Sequence, residues 1–442
     1  MIHGWLGTST KITAVPRLPW ITGLGARAAS SGTGNVHRVT LRWAGPLRPV
    51  HSSIVAGAVG ATVAALLVTR LLVTGNALDQ VWAEDGAVYL ADFTKHGLPS
   101  LGYVYAGYLQ LPSRLMVLLG LALPLRDFSA WCVLSSSVVV GLLAAFSFLA
   151  VRRVTGSPTW AAVAGLSMAL VPALSLESMG ALANLQWFLI PAAFWALLLP
   201  TQPGARLRAG AVVVALAAAL ASPLAVFALP ATLVHGRRAV RSWPAWALMV
   251  GLAGQVLGGR FAPATNRTAP RARHLSAHDV KPMVRGLLGP GVVPGHHLLT
   301  LLLVVLAVTV LAAVTLSTSR SPAAGVMLAT ALVFYGFSSY VNGHATPRYA
   351  GCASILIIGA FVLQAPAAKP LAAAAVFAVP VGLAILSFPA QPYRVSGPSW
   401  TASAALVERA CSTPSTYTAD APIGPVHFGV ARLVCRSTFL HF

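Results

Sequence analysis

The stretch IVAGAVGATVAALLVTRLLVTGNALDQVWAEDG, residues 54–86, decides the class of this protein. Its first part, 54–74, is apolar except for Arg70 and small polar residues. It is long enough to cross the hydrocarbon core of a bilayer as one helix, which takes ~20 residues. A polar stretch, 75–108, follows at once, with Asp79, Glu84, Asp85 and Asp92. Further apolar blocks run over 109–125, 128–151, 159–176, 185–200, 209–234, 243–258, 298–316, 323–341, 350–366 and 371–388. Hydrophobic residues make up 57% of the 442 and charged residues 9%, where a soluble domain carries about 25% charged. A soluble globular chain and a disordered one are both excluded. Arginines far outnumber lysines among the 30 basic residues, and with Ala, Gly and Pro throughout the composition is that of a GC-rich bacterial gene.

Basic residues set the orientation, because short cytoplasmic loops collect Lys and Arg. The 209–234 block, broken by Ser222-Pro223, reads as one tilted helix or as a hairpin of two short ones. The 109–125 block holds Pro112 and Arg114, which fit a helix lying in the interface with its guanidinium reaching the headgroups. With a hairpin and an interfacial helix, Arg152, Arg153, Arg206, Arg208, Arg237, Arg238, Arg241, Arg320 and Lys369 fall in short cytoplasmic loops. Arg348 alone falls in a short outer one. All nine acidic residues then lie outside or at the outer boundary.

The expected fold is an all-α polytopic membrane protein of about eleven transmembrane helices. A flexible cytoplasmic arm, 1–53, precedes the membrane domain 54–388, and an extracytoplasmic tail, 389–442, follows it. The first outer loop spans 75–127, with interfacial helices, and a basic outer loop spans 259–297. Cys132 and Cys352 sit in apolar runs as small hydrophobes. Cys411 and Cys435 share the outer tail, where disulfides persist, and are expected to pair with each other. The loop they close is worth on the order of 3 kcal/mol in the chain-entropy model. No Cys/His pattern of a zinc site is present.

Three outer stretches carry candidate chemistry. The first is Trp82-Ala83-Glu84-Asp85-Gly86. Its carboxylate pair can accept a proton from an attacking hydroxyl or hold a divalent cation; equally, it can cap the helix expected over 84–96. Asp85 is the preferred base and Glu84 the accessory group, because Asp85 is shorter and precedes Gly86, where a bare backbone would let a substrate approach. Downstream, Tyr105, Tyr108 and Arg114 suit either a rim for a lipid-linked substrate or an aromatic belt.

The second stretch gives Glu177, Asn184, Gln186 and Trp187, groups able to hydrogen-bond and stack on a sugar, although Trp187 also suits a belt anchor. The third gives Arg348-Tyr349 directly before a span, a place for a guanidinium fork on a phosphate or for a plain interfacial anchor.

These residues resemble the GT-C superfamily of polytopic membrane glycosyltransferases, which use polyprenyl-phosphate sugars. More narrowly they are similar to bacterial membrane proteins with a Trp-x-Glu-Asp-Gly motif followed by Gly-Tyr-x-x-x-Pro-x-Arg. Here those are Trp82, Glu84, Asp85, Gly86 and Gly107, Tyr108, Pro112, Arg114. The resemblance covers the architecture of 54–388 and is specific over 79–115. It implies a bacterial cell membrane enzyme; the bias of the basic residues sets the expected N-terminus in the cytoplasm and the C-terminus outside. The donor would be a polyprenyl-phosphate-linked sugar, the acceptor a cell-envelope glycan or protein, and the setting the lipid bilayer, with no nucleic acid. It further implies direct inverting attack with Asp85 or Glu84 as general base, and Arg348, Arg114 or the basic loop aiding the leaving phosphate. No cofactor is required, and a divalent cation is optional. A transporter or lipid flippase is the rival; a proton-coupled carrier would generally need ionisable groups near mid-membrane, and the expected spans hold no Asp or Glu, which argues against that kind but not against a passive one. A non-catalytic relative is the other.

Overall fold

The computed structural model describes residues 49–73, 75–175, 177–200, 204–261, 321–342, 346–365, 397–424 and 429–441. The arm before residue 49, most of the basic loop, and the expected spans 298–316 and 371–388 lie outside the described residues.

Helices dominate. Helix α1 spans Pro49–Val73, and the short α2 spans Ala91–His96. Helix α3 is Leu111–Gly120, α4 Phe128–Thr155, α5 Pro158–Leu170 and α6 Gln186–Leu198. Next come α7 (Ala205–Ala221) and α8 (Trp243–Phe261), then α9 (Pro322–Asn342), α10 (Pro347–Gln364) and α11 (Trp400–Cys411). Among the described residues, four stretches are long and apolar enough to cross a membrane: His51–Val73, Leu125–Thr155, Pro322–Val341 and Pro347–Gln364. Helix α6 is buried on every side, as expected of a helix apolar all round.

Contacts fix the direction of each segment. Arg70, at the C-terminal end of α1, donates to the carbonyl of Ala169 at the end of α5 (2.6 Å). Gln255 of α8 bonds the backbone of Leu109 in the first loop (2.8 and 3.0 Å) and that of Ala219 in α7 (2.8 Å). His235 reaches the Leu197 carbonyl at the far end of α6 (2.9 Å). Helices α1 and α4 to α8, with the stretch Pro223–Arg241, therefore run between two ends of one bundle. One end carries the first loop. The other carries Arg152, Arg153, Arg206, Arg208, Arg238 and Arg241. Every described acidic residue lies at the loop end.

The 209–234 block is two segments. Helix α7 stops at Ser222, whose backbone is extended (φ −160°, ψ 138°), and Pro223 opens a 3₁₀ stretch, Pro223–Arg241, that turns at Gly236. Helix α3, 10 residues, is about 15 Å long and too short to span. Its exposed Leu115 and Leu119 lie four apart on one face, as an interfacial helix requires.

Helices α1 and α4 cross backbone to backbone. A Cβ on Gly60 would stand 2.7 Å from the Gly141 carbonyl oxygen, and one on Gly141 would stand 2.6 Å from that of Gly60. Close approach through small residues is how membrane helices gain packing where no hydrophobic effect drives them together. Gly141→Leu must push the pair apart. It is expected to cost about 1–3 kcal/mol, read as a lowered unfolding midpoint in detergent.

The tail is a folded subdomain. Strand β1 (Val104–Tyr105) pairs with β2 (Tyr108–Leu109) in the first loop, and β3 (Thr418–Pro422) pairs with β4 (Val430–Val434) in the tail, both antiparallel. These short ribbons qualify the all-α expectation. Cys411 and Cys435 are joined in a disulfide, Cα atoms 5.0 Å apart, linking α11 to the end of β4. Asp79 in the first loop accepts hydrogen bonds from the Ser399 hydroxyl and from the Thr401 amide and hydroxyl (2.7 and 2.6 Å). Burial pushes its carboxyl up, but these bonds outweigh that and hold it below the ordinary aspartate value. The Trp400 indole is fully buried and donates to the Leu125 carbonyl (2.7 Å), whose own amide bonds His441 (2.7 Å). The first loop and the tail thus cover the same end of the bundle.

Candidate functional site

The Glu84–Asp85 motif opens a helix whose first windings, Asp85–Leu90, are π-helical and continue into α2. Such wide turns are rare and collect at functional sites.

Asp85 is fully buried. Its Oδ2 accepts from the Leu182 amide (2.9 Å) and its Oδ1 from the Ala183 amide (2.8 Å). The loop between α5 and α6 is therefore strapped to the first loop through Asp85. The preference for Asp85 as an accessible base is overturned: both of its oxygens are engaged by backbone N–H groups, away from solvent. Gly86 is likewise no opening for a substrate. A Cβ there would meet Val81 (2.9 Å) and Ile423 (3.1 Å), so the glycine is needed for packing.

Glu84 remains half-buried. Its carboxylate acts electrostatically on Tyr105, Tyr108, Arg348 and Tyr349. The first two stand opposite each other on the β1–β2 ribbon. Its two-residue turn needs positive φ at both central positions, met by Ala106 (54°) and Gly107 (88°). Ala106 is strained there, and the strand pairing that holds the turn keeps the tyrosines side by side. Burial above all pushes both hydroxyls up to about 12; the Glu84 charge is the next cause for Tyr105, while for Tyr108 the Gln186 hydrogen bond pulls the other way and Glu84 adds only a minor push. Both stay protonated, as donors, throughout the ordinary pH range. Gln255 anchors the ribbon from α8; a lone Gln in an apolar helix is the one mark of it in the sequence.

Arg348, in the first turn of α10, lies 3.8 Å from Glu177 and against the Tyr349 ring. Both partners are partly open, at 29% and 21% side-chain exposure. The Gln186 amide reaches the Tyr108 hydroxyl (3.4 Å). The structure thus brings together Glu84, Tyr105, Tyr108, Glu177, Gln186, Arg348 and Tyr349, drawn from three stretches far apart in the sequence.

Three other residues expected to meet a substrate hold the frame instead. Arg114 does not reach headgroups or a lipid phosphate: it is fully buried, bonded to Asp92 at 2.9 Å and stacked over the Tyr89 ring. Asn184 is spent on its own turn, donating to the Glu177 carbonyl (2.6 Å) and accepting from the Trp187 indole (3.0 Å). Trp187 is buried against Tyr349, ring centroids 4.9 Å apart, and has no free face for a sugar.

Among the described residues no three His, Cys, Asp or Glu side chains gather as a metal cage would need. Glu84 and Glu177 also share their surroundings with the Arg348 guanidinium, a poor neighbour for a cation. No known family, curated protein or solved structure matches this chain.

Proposed function

We propose that the protein is a membrane glycosyltransferase that moves a sugar from a polyprenyl-phosphate donor to a cell-envelope glycan or protein acceptor outside the cell. The observation that carries the reading is the convergence of a half-buried carboxylate, Glu84, with Arg348 and two protonated tyrosines at one end of an apolar bundle.

In this reading Glu84 takes the proton of the acceptor hydroxyl as its oxygen bonds to the anomeric carbon. The bond from that carbon to the phosphate oxygen breaks on the opposite face, its electron pair leaving with the lipid phosphate. Configuration inverts, and no covalent enzyme intermediate forms. Arg348 offers its guanidinium fork to the phosphate, with Glu177 orienting it. Tyr105 and Tyr108 donate to sugar or phosphate oxygens. Asp85 moves no proton and holds the frame.

The arginine-bearing end is the cytoplasmic one, by the positive-inside rule. The disulfide then lies outside, where it persists. Because first loop and tail share one end, the chain between them must cross an even number of times, which eleven crossings with a cytoplasmic N-terminus satisfy.

Purified protein in liposomes, given polyprenyl-phosphate sugars and envelope acceptors, is expected to release polyprenyl phosphate at the rate that glycosylated acceptor appears. Arg348→Ala should raise the KM for donor about tenfold or more, the worth of a charge-assisted hydrogen bond. Intact donor across a panel of such sugars, with folded protein, would remove the reading.

A further inference from the structure

Two surfaces grip the motif that carries Glu84, and only one belongs to the helical bundle. On the bundle side, Asp85 holds the 182–183 amides. On the other side lies the C-terminal subdomain. Gly424 donates its N–H to the Val81 carbonyl (3.1 Å) and accepts from the Ala83 amide (2.7 Å), bracketing Trp82 in a parallel bridge. Ile423 packs against Gly86 so closely that no Cβ fits between them without movement. Gln80 adds a bond to the Gly397 carbonyl (3.0 Å).

We propose that the C-terminal subdomain is a positioning element of the site, in which Gly424 and Ile423 fix the Val81–Gly86 segment and so aim Glu84. What the aimed carboxylate does rests on the glycosyl-transfer reading; that it is aimed from the tail does not. The bracketing is specific. The bridge bonds the residues on either side of Trp82, and Ala83 directly precedes Glu84. Arg348 and Glu177 belong to other elements, α10 and the turn after α5, so donor contacts should survive when the bridge is lost. A carboxylate displaced by about 1 Å can cost about 100-fold in turnover without changing ground-state binding.

The test uses the whole protein and two variants of one residue. Gly424→Pro removes the N–H that bonds Val81. Gly424→Ala keeps it, and its Cβ would lie at an ordinary 3.5 Å from the nearest atom, Gly397 Cα. Hydrogen exchange at the Ala83 amide is expected to quicken about tenfold in the Pro variant, the usual worth of one or two backbone hydrogen bonds, and to stay near wild type in the Ala variant. Under the transfer reading, kcat of the Pro variant falls up to about 100-fold while the donor KM is held.

Should Gly424→Pro fail to fold, Ile423→Ala replaces it, with faster exchange expected over 81–86. Unchanged exchange in a folded Gly424→Pro or Ile423→Ala protein overturns the proposal, as does a fall in kcat shared equally by Gly424→Ala. A wild type without transfer activity would instead sink the transferase reading, and the exchange arm would still decide this one.

Discussion

Replacing Glu84 by Gln is expected to slow sugar transfer by about 10²- to 10⁴-fold, the usual contribution of general base catalysis. The amide keeps the shape of the side chain and loses only its ability to take a proton. Because Glu84 is half-buried, thermal stability should stay within about 0.5 kcal/mol of wild type, as for most surface substitutions. The measurement is initial rate of acceptor glycosylation beside an unfolding curve on the same preparation. A Glu84→Gln protein with wild-type turnover would show that the carboxylate is not the base and that the mechanism given above is wrong.

Asp85→Asn, one residue away, should do the opposite. An Asn can offer one oxygen to the Leu182 and Ala183 amides, where Asp85 offers two. Its NH₂ then faces a buried N–H, donor against donor. Losing a charge-assisted bond and stranding a buried donor costs about 3 kcal/mol or more. The loss should appear as a lower unfolding midpoint and poor yield, with whatever protein folds retaining a donor KM near wild type. Asp85→Asn at wild-type stability would refute the strap between the two loops.

The contrast between these neighbours marks where the sequence stops being legible. Apolar blocks place the described helices of the bundle, and Ser222-Pro223 marks the break after α7, since both depend only on local composition and backbone sterics. The short α3 is legible in part: Pro112 and Arg114 within the apolar run at 109–125 fit a helix that lies in the interface. Glu84 and Asp85 cannot be told apart in this way, because the partners of Asp85 are backbone amides, and amides leave no mark in a sequence. Arg114 misleads because its neutralising Asp92 stands 22 residues away, on another helix. Asn184 and Trp187 look like sugar ligands but bind each other. The tail reads only as an extracytoplasmic tail with a cysteine pair, because its core is completed by the first loop, more than 300 residues upstream. The Glu84, Glu177 and Arg348 grouping is legible in part, since all three follow or precede spans at the same expected boundary.

The bond between Asp79 and the Thr401 amide joins residues 322 positions apart. At a synthesis rate of about 5–20 residues per second, the segment bearing Glu84 must wait roughly 16–60 s for its clamp to be made. During that interval the loop is already outside the membrane, under the orientation proposed, while the last strands are still on the ribosome. A nascent or prematurely terminated chain would therefore hold its carboxylate unaimed. On the positioning proposed above, the Val81–Gly86 segment is therefore held from both sides only once the tail has been made.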